Sequence, residues 1–183
     1  MRILDPHSLT RHADRLYRAA WGLCGSPHDA EDLVQETFAR VLSRPRALRG
    51  EEDLYYLMRA LRNTFLTGRL AATRRPVAVA TLEEVVAEDP SPIGRPERAL
   101  EIREVYATIA ELPDDSRLAL VAVDVLGLSY REASRALEVP ETTITTRLFR
   151  ARRRVAARLS LPARPEAEPS AHAPPVAQAT SSA

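Results

Sequence analysis

A proline-rich segment in the middle of the chain constrains the fold more than any other feature of the sequence. Residues 76 to 98, PVAVATLEEVVAEDPSPIGRPER, carry four prolines and several carboxylates without a sustained apolar period. Proline lacks the backbone N–H and clashes with the preceding helical turn, so the stretch DPSPIGRP cannot continue a helix. On either side of the segment, apolar residues recur at helical spacing. The sequence therefore predicts two helical blocks joined by a linker.

The composition favours an all-α fold. Only 5% of the residues are aromatic and only 6 are glycine, which argues against a strand-rich sandwich with many tight turns. We predict two small helical domains, the first of three or four helices and the second of four, joined by a flexible acidic linker. The predicted boundaries are 1–76 for the first domain, 77–104 for the linker, 105–160 for the second domain and 161–183 for a disordered tail rich in Pro, Ala and Ser.

Helix-start signals place most of the helices. Ser26 can cap a helix whose first residue is Pro27, and Ser129 with Glu132 forms a capping box for a later one. The predicted helices of the first block run from Ser8 to Leu23, from Pro27 to just before Pro45, and from Leu54 toward Leu70. Those of the second block run from near Ala99 through Leu112, from Asp114 to Val125, from Ser129 to Leu137, and from Pro140, in the first helical turn, to about Leu159.

The last two predicted helices form a helix-turn-helix. In GLSYREASRALEVPETTITTRLFRARRRV, a short capped helix and a tight connection lead to a longer helix dense in Thr and Arg. In such a pair the second helix lies in the major groove of DNA, where its early residues reach base edges and its basic end holds phosphates. Amphipathic helices with arginines also occur as plain solvated faces, but the proline start, the threonine run and the number of arginines favour DNA binding.

These segments resemble a known family. SYREASRALEVPETTITTRLFRARRRV resembles the fourth region, which reads promoters, of extracytoplasmic-function sigma factors. DAEDLVQETFARVL, from Asp29 to Leu42, is similar to the helix of that family that docks on the clamp coiled coil of RNA polymerase. LYYLMRALRNTFLTGRLAATRR, from Leu54 to Arg75, resembles the segment that melts and reads the upstream edge of the transcription bubble. The resemblance covers residues 8 to 158 and implies a sigma factor that directs promoter recognition, DNA melting and transcription initiation.

The resemblance also implies three sets of contact residues. Core polymerase would be bound by Asp29, Glu31, Asp32, Gln35 and Glu36. The minus-ten DNA would be bound by Arg59, Arg62, Asn63, Thr67, Arg69, Arg74 and Arg75, with the stretch 63 to 73 holding a flipped base. The minus-thirty-five element would be bound by Thr143, Thr145, Thr146, Arg147, Phe149, Arg150, Arg152, Arg153 and Arg154, the last three mainly on phosphates.

Four positions depart from the family pattern. Tyr56 stands where tryptophan is usual, and Thr67 stands where Asp or Asn is common, so the base site can differ. Thr145 replaces a usual basic residue, and Glu138 replaces a glycine that is frequent in the turn. A non-glycine residue is less comfortable in a left-handed backbone conformation there. The preferred promoter sequence is therefore open.

The implied partners are core RNA polymerase, promoter DNA and an anti-sigma factor, with no cofactor, metal or small-molecule substrate. No apolar run approaches the roughly 18 residues that cross a bilayer, and the start of the sequence has no apolar signal core. We therefore expect a cytoplasmic location without membrane insertion. Cys24 lies in an apolar stretch and is interpreted as a buried small residue rather than a redox sensor.

The sequence leaves two rival functions open. A stand-alone helix-turn-helix regulator would use the first block as a sensor or dimerisation domain, but this leaves the DAEDLVQETF and RALRNTFLTGRL patterns unexplained. An enzyme could use the carboxylates Asp29, Glu31, Asp32 and Glu36, yet no Glu-x-x-His pair of a helical di-metal site is present. The histidines show no ligand spacing either, at His7, His12, His28 and His172.

Overall fold

The computed structural model describes residues 2–3, 6–44, 47–48, 53–74 and 96–160. Its helices are α1 (Pro6–Thr10), α2 (Ala13–Cys24), α3 (Pro27–Ser43), α4 (Asp53–Arg74), α5 (Pro96–Ala110), α6 (Asp114–Leu120), α7 (Tyr130–Leu137) and α8 (Glu141–Leu159). Helices α1 to α4 form an N-terminal lobe and α5 to α8 a C-terminal lobe. The predicted all-α fold of two small helical domains is confirmed. Most of the predicted linker and all of the predicted tail lie outside the described residues.

The connection between α2 and α3 follows the predicted signals. Gly25 ends α2 with a φ of 80°, and its N–H donates to the carbonyl of Trp21 at 2.7 Å. This left-handed conformation favours glycine, and a Cβ added to Gly25 would lie only 2.7 Å from the Cβ of Ala110. The hydroxyl of Ser26 then accepts a hydrogen bond from the N–H of Asp29, and Pro27 begins α3. Both the backbone conformation of Gly25 and its close packing against Ala110 therefore favour glycine at this position.

Several helices begin or end differently from the prediction, and the third predicted helix, α4, continues to Arg74, beyond Leu70. The first is interrupted at Arg11 and His12, which brings the imidazole Nε2 of His12 within 3.6 Å of an Asp53 oxygen. Helix α5 begins at Pro96, ahead of Ala99, so residues 96 to 104 of the predicted linker are helical. Pro140 lies at the cap position before α8 rather than in the first helical turn.

Two small elements were not predicted. Arg2–Ile3 (β1) and Ala47–Leu48 (β2) pair as a short antiparallel ladder, in which Arg2 lies opposite Leu48. The predicted helix from Asp114 to Val125 changes after Leu120 into a π-helical turn, Val121–Val125. The N–H of Leu126 accordingly donates to the carbonyl of Val121, at 2.9 Å.

The two lobes share one apolar core. The indole of Trp21 stacks on the ring of Tyr106 with centroids 4.4 Å apart and planes 9° apart. Beside this pair, Gly22 allows a close approach of Val121, whose Cγ2 would lie 3.0 Å from an added Cβ. The sequence predicted two helical domains joined by a flexible linker. It did not predict that the two would pack closely against each other.

Arginines reinforce the contact between the lobes from both sides. Arg117 of α6 donates to the carbonyl of Leu23, in the last turn of α2, at 2.5 Å. Conversely, Arg15 of α2 donates to the carbonyl of Leu126, just after the π-helical turn. Carbonyls at a helix C-terminus lack intrahelical partners, so each lobe supplies a hydrogen-bond donor to a helix end of the other.

Candidate nucleic-acid interface

The helix-turn-helix is built by local hydrogen bonds. The hydroxyl of Ser129 accepts from the N–H of Glu132, and the Glu132 carboxylate accepts from the N–H of Ser129 at 2.8 Å, which completes the predicted capping box. The Ser129 hydroxyl also donates to Oε2 of Glu132 at 2.6 Å, and this bond, followed by the one from the Ser129 N–H, lowers the pKa of the Glu132 carboxyl. In the turn, Glu138 adopts a left-handed conformation with φ 57° and ψ 42°. The hydroxyl of Ser134 donates to the carbonyl of Val139 at 2.6 Å and closes the turn.

Helix α8 has a buried face and an exposed face. Ile144, Leu148 and Ala151 are buried against the rest of the C-terminal lobe. Phe149, in contrast, has two thirds of its surface exposed, at 66%. The predicted DNA-contact residues Thr145, Thr146, Phe149, Arg150, Arg152, Arg153 and Arg154 are all exposed, whereas Thr143 and Arg147 are half-buried. The exposed face thus carries polar, aromatic and cationic groups along one helix.

Two of these arginines are held by carboxylates of their own lobe. Arg147 forms an ion pair with Asp115 at 2.6 Å. Arg152 makes two hydrogen bonds to Asp124, from Nε at 3.0 Å and from Nη2 at 2.6 Å. These bonds raise the pKa of Arg152. The sequence reading did not single out Asp115 or Asp124, because a pairing between distant helices leaves no local pattern.

The predicted polymerase-binding residues lie on one polar side of α3. Asp29, Glu31, Asp32, Gln35 and Glu36 are all exposed. The Glu36 carboxylate accepts from Nε of Arg40 at 2.6 Å, and a carboxylate oxygen of Asp32 lies 3.5 Å from Nδ1 of His28. On the opposite side, Ala30, Leu33, Val34 and Val41 are buried. The structure therefore presents the acidic set to solvent and leaves it available to a partner.

An apolar groove of about 720 Å³ adjoins this acidic side. It is lined by Leu33 of α3 and by Phe65 and Gly68 of α4, together with the carboxylates of Asp32 and Glu36. Arg117 lines it from the C-terminal lobe. The sequence reading missed Arg117, a buried guanidinium whose pKa is lowered by burial and which also donates to the carbonyl of Leu112 at 2.8 Å.

Most of the residues predicted to bind minus-ten DNA lie along α4. Arg59, Arg62, Asn63, Thr67 and Arg69 lie on this helix, whereas the side chain of Arg74 and all of Arg75 lie outside the described part of the chain. The hydroxyl of Thr67 donates to the carbonyl of Asn63 at 2.7 Å. Arg69 pairs with Asp114 at 2.6 Å, and Arg59 pairs with Glu138 at 2.6 Å. These arginines therefore face carboxylates of the C-terminal lobe.

A smaller polar cavity of about 270 Å³ opens between α3 and α4. It is lined by Arg40, Val41, Arg44, Tyr56, Arg59, Ala60, Asn63 and Thr64. Of the stretch 63 to 73 that was predicted to hold a flipped base, only Asn63 and Thr64 line this cavity, and Thr67 lines the larger groove instead. Arg59 and Asn63 were predicted as DNA contacts, and Tyr56 was noted as a departure from the family pattern; no cavity was predicted from them. Arg40 and Arg44 were not predicted.

Two findings concern other kinds of site. Among the described residues, no group of three or more His, Cys, Asp or Glu side chains could hold a metal ion. None of the helices in that part of the chain is both long and apolar enough to span a membrane.

Fold and surfaces together define a class: a two-lobed helical protein with a helix-turn-helix in its second lobe and a second arginine-rich helix in its first. The family model "Sigma-70 region 2" matches residues 9–75, and the model "Sigma-70, region 4" matches residues 102–155. With these two regions, and with 33% identity over an alignment that covers 70% of the ECF sigma-E factor of Escherichia coli K12, the chain belongs to the extracytoplasmic-function (ECF) RNA polymerase sigma factors. This confirms the family that the sequence motifs indicated.

Named relatives agree with this membership. The chain is 35% identical over 147 residues to the "ECF RNA polymerase sigma factor SigE" of Mycolicibacterium smegmatis, an alignment that covers 79% of this chain and 57% of the relative. It is 33% identical over 135 residues to the "ECF RNA polymerase sigma-E factor" of Escherichia coli K12, with 68% of this chain and 70% of the relative covered. The chain thus spans a little over half the length of the first relative.

Two solved structures share the fold. The sigma factor RpoE, in a complex with the anti-sigma factor NepR from Bartonella quintana, has a TM-score of 0.65 at 25% identity, covering 84% of this chain and 94% of that one. CnrH, in a complex with the cytosolic domain of CnrY, has a TM-score of 0.58 at 23% identity, covering 85% of this chain and 89% of that one.

Family membership decides between the rival functions. Sigma factors are non-enzymatic, DNA-binding initiation factors, so membership confirms that the chain is not an enzyme. The stand-alone regulator is not favoured, because the first lobe matches the sigma region 2 model over residues 9–75.

Proposed function

We propose that this chain binds core RNA polymerase and directs it to promoters, where it reads both upstream elements and helps to melt the DNA. The observation that carries the proposal is that one chain presents three chemically different helical surfaces. An exposed acidic helix lies in the N-terminal lobe beside an arginine-rich helix, and the C-terminal lobe presents an exposed recognition helix. A stand-alone regulator has no use for the first two surfaces.

Helix α3 is the proposed docking surface for polymerase. Its carboxylates Asp29, Asp32 and Glu36 line the apolar groove between α3 and α4, so a partner helix with apolar and basic residues would find both contacts together. The test is charge reversal, Asp32→Arg with Glu36→Arg, with Glu104→Arg on α5 as the matched exposed control. We expect weaker assembly with core polymerase for the double variant alone, with circular dichroism unchanged. Equal affinity of all three proteins would contradict the docking surface.

Helix α4 and the polar cavity beside it are proposed to hold the minus-ten DNA. Arg44, Arg59 and Asn63 surround the cavity, where guanidinium groups can pair with phosphates and an amide can bond a base edge. Tyr56 provides a ring on which an unstacked base can stack. We propose this cavity, rather than the whole stretch 63 to 73, as the site for a flipped base.

The recognition helix α8 is proposed to bind the minus-thirty-five element. Thr146, Phe149 and Arg150 are exposed on it, and Phe149 and Arg150 lie three and four residues after Thr146, on the same face. Arg153 and Arg154, one turn later, suit phosphate contacts. Such a helix inserts its early residues into the major groove.

The proposal also includes a regulatory partner and a cellular location. Because the sigma factor RpoE, which shares this fold, is described in a complex with the anti-sigma factor NepR, we propose that a protein of that kind also restrains this chain. We also propose that it works in the cytoplasm, where its polymerase and promoters are.

Run-off transcription with core polymerase on genomic fragments tests the proposal as a whole. We expect specific transcripts that depend on this chain, together with an enlarged complex between the chain and core polymerase. DNA binding without polymerase binding and without transcripts would instead support the stand-alone regulator.

A further inference from the structure

Glu138, in the turn of the helix-turn-helix, lies against the arginines of α4 in the other lobe. Its Oε1 is 2.6 Å from Nη2 of Arg59, and its Oε2 is 3.2 Å from Nη1 of Arg62. One carboxylate thus pairs with two of the guanidinium groups that are proposed to meet promoter DNA. Glu138 and Arg62 are 76 positions apart in the sequence, so their bond depends on the packing of the two lobes.

The backbone at Glu138 is unfavourable for the residue that occupies it. Its φ of 57° lies in the left-handed region, and no other non-glycine residue among those described has a positive φ. Glycine would remove this strain, but glycine has no side chain that could reach Arg59. The chain therefore places a strained glutamate where the turn alone would favour glycine, and the result is a bridge between the lobes.

Other contacts keep α4 on the C-terminal lobe. Arg69 pairs with Asp114, and the guanidinium of Arg135 lies 4.4 Å from the centre of the Tyr55 ring. The stacked pair of Trp21 and Tyr106 lies in the core of the same interface. Ion pairs and a cation–π contact along α4 thus accompany apolar packing in the core of the interface between the lobes.

We propose that the chain has a closed, self-masked state in which Glu138 occupies the α4 arginines that otherwise bind promoter DNA. The inference rests on the proposed role of α4. Phosphates and the Glu138 carboxylate compete for the same two guanidinium groups, so DNA binding through α4 requires release of the turn. A protein whose competent state is only partly populated binds its ligand more weakly by that fraction. We call the contact of Glu138 with Arg59 and Arg62 the latch. Exposed ion pairs are individually weak, so the latch is reversible.

Tryptophan fluorescence of the full chain tests whether DNA opens the lobes. Trp21 is the only tryptophan in the sequence, it is buried, and it stacks on a residue of the other lobe. The probe is a mixed-sequence DNA duplex with a single-stranded segment, which contributes no tryptophan signal. We expect saturating DNA to shift the emission to the red and to make Trp21 accessible to acrylamide. Unchanged emission at saturation would overturn the closed-state proposal.

Variants at the latch give an independent measurement. Glu138→Gly removes the carboxylate and relieves the left-handed strain, while Glu138→Gln removes only the charge. The matched control is Glu141→Gln, which removes an exposed carboxylate at the start of α8 for which the described residues provide no ion pair. Opening withdraws Arg117 from the end of α2, so that end should fray. We expect amide exchange there and in α5 to rise about two- to fivefold in both Glu138 variants, with exchange at the middle of α8 unchanged.

DNA affinity separates this inference from the function on which it rests. We expect both Glu138 variants to bind the same DNA probe about two- to fivefold more tightly than Glu141→Gln does. Unchanged exchange in both variants would refute the latch. Faster exchange without the extra affinity would support the latch but refute the masking, because the α4 arginines would then not be DNA contacts.

Discussion

Arg152 and Asp124 form a two-point ion pair that fixes the middle of the recognition helix to the end of the preceding π-helical turn. The bonds are 3.0 and 2.6 Å long and involve both Nε and Nη2 of the guanidinium. A guanidinium bound in this bidentate way is oriented as well as charged. Arg153 and Arg154, its neighbours in the sequence, are exposed on the same helix, and within the described part of the chain no carboxylate is paired with either of them.

The pairing predicts unequal roles for neighbouring arginines. Arg154→Ala should weaken binding of every DNA sequence alike and lower the slope of log affinity against log salt by about one, the change expected from one lost phosphate contact. Arg152→Ala should change this slope less, because Asp124 already neutralises that cation. Fluorescence anisotropy at several salt concentrations measures both slopes. Equal reductions would show that Arg152 leaves Asp124 when DNA is bound.

The capping box predicts a pH-dependent contribution to stability. Hydrogen bonds from Ser129 lower the pKa of Glu132 in the folded protein. A carboxyl group with a lowered folded pKa stabilises the protein above its unfolded pKa, about 4.3, and this contribution disappears as the pH falls through the lower folded value. Glu132→Gln should therefore lower the free energy of unfolding near pH 7, and the difference from wild type should shrink between about pH 4.5 and pH 3.

Urea unfolding at several pH values measures that difference. Ser129→Ala serves as the companion variant and should cost about 1 kcal/mol, the usual effect of losing a helix cap. A difference for Glu132→Gln that persists unchanged at pH 3 would mean that ionisation of Glu132 does not stabilise the fold.

Local signals explain why much of the fold could be predicted from the sequence. Ser26, Gly25 and the pair of Ser129 and Glu132 act within four residues of themselves, so their helix ends were readable. The break at His12 was not, because it accompanies an approach to Asp53 on a distant helix. The π-helical turn after Leu120 likewise left no periodic sign in the sequence.

The candidate site shows the same division. Which arginines and carboxylates are exposed followed from helical periodicity on α3 and α8. Their partners did not, because Asp115, Asp124 and Glu138 meet them only after distant helices pack together. Burial of Arg117 between the lobes was also hidden, since an arginine in an amphipathic helix normally indicates a solvated face.

Cys24 should be a poor nucleophile in the folded protein. Burial, followed by the nearby negative charge of Asp29, raises the pKa of its thiol to about 11. The thiolate is the reactive form, so at pH 8 the native chain should react with iodoacetamide far more slowly than free cysteine does. Reaction at the normal rate should return in urea. The structure places Cys24 as half-buried rather than fully buried, and rapid alkylation of the native chain would show that its thiol is open to solvent.

The sharpest prediction on specificity concerns Arg150. It is exposed on α8 beside Phe149, and it lies one helical turn after Thr146, so the three can meet neighbouring base edges in the major groove. Arg154 lies a further turn along, where a recognition helix normally reaches phosphates. Arg150→Ala should therefore relax the preference at one upstream promoter position and cost about 1 to 3 kcal/mol there. Binding of both variants to a library in which each upstream base is varied, at two salt concentrations, measures the difference. A uniform loss on all sequences for Arg150→Ala would show that Arg150, like Arg154, contacts only phosphate.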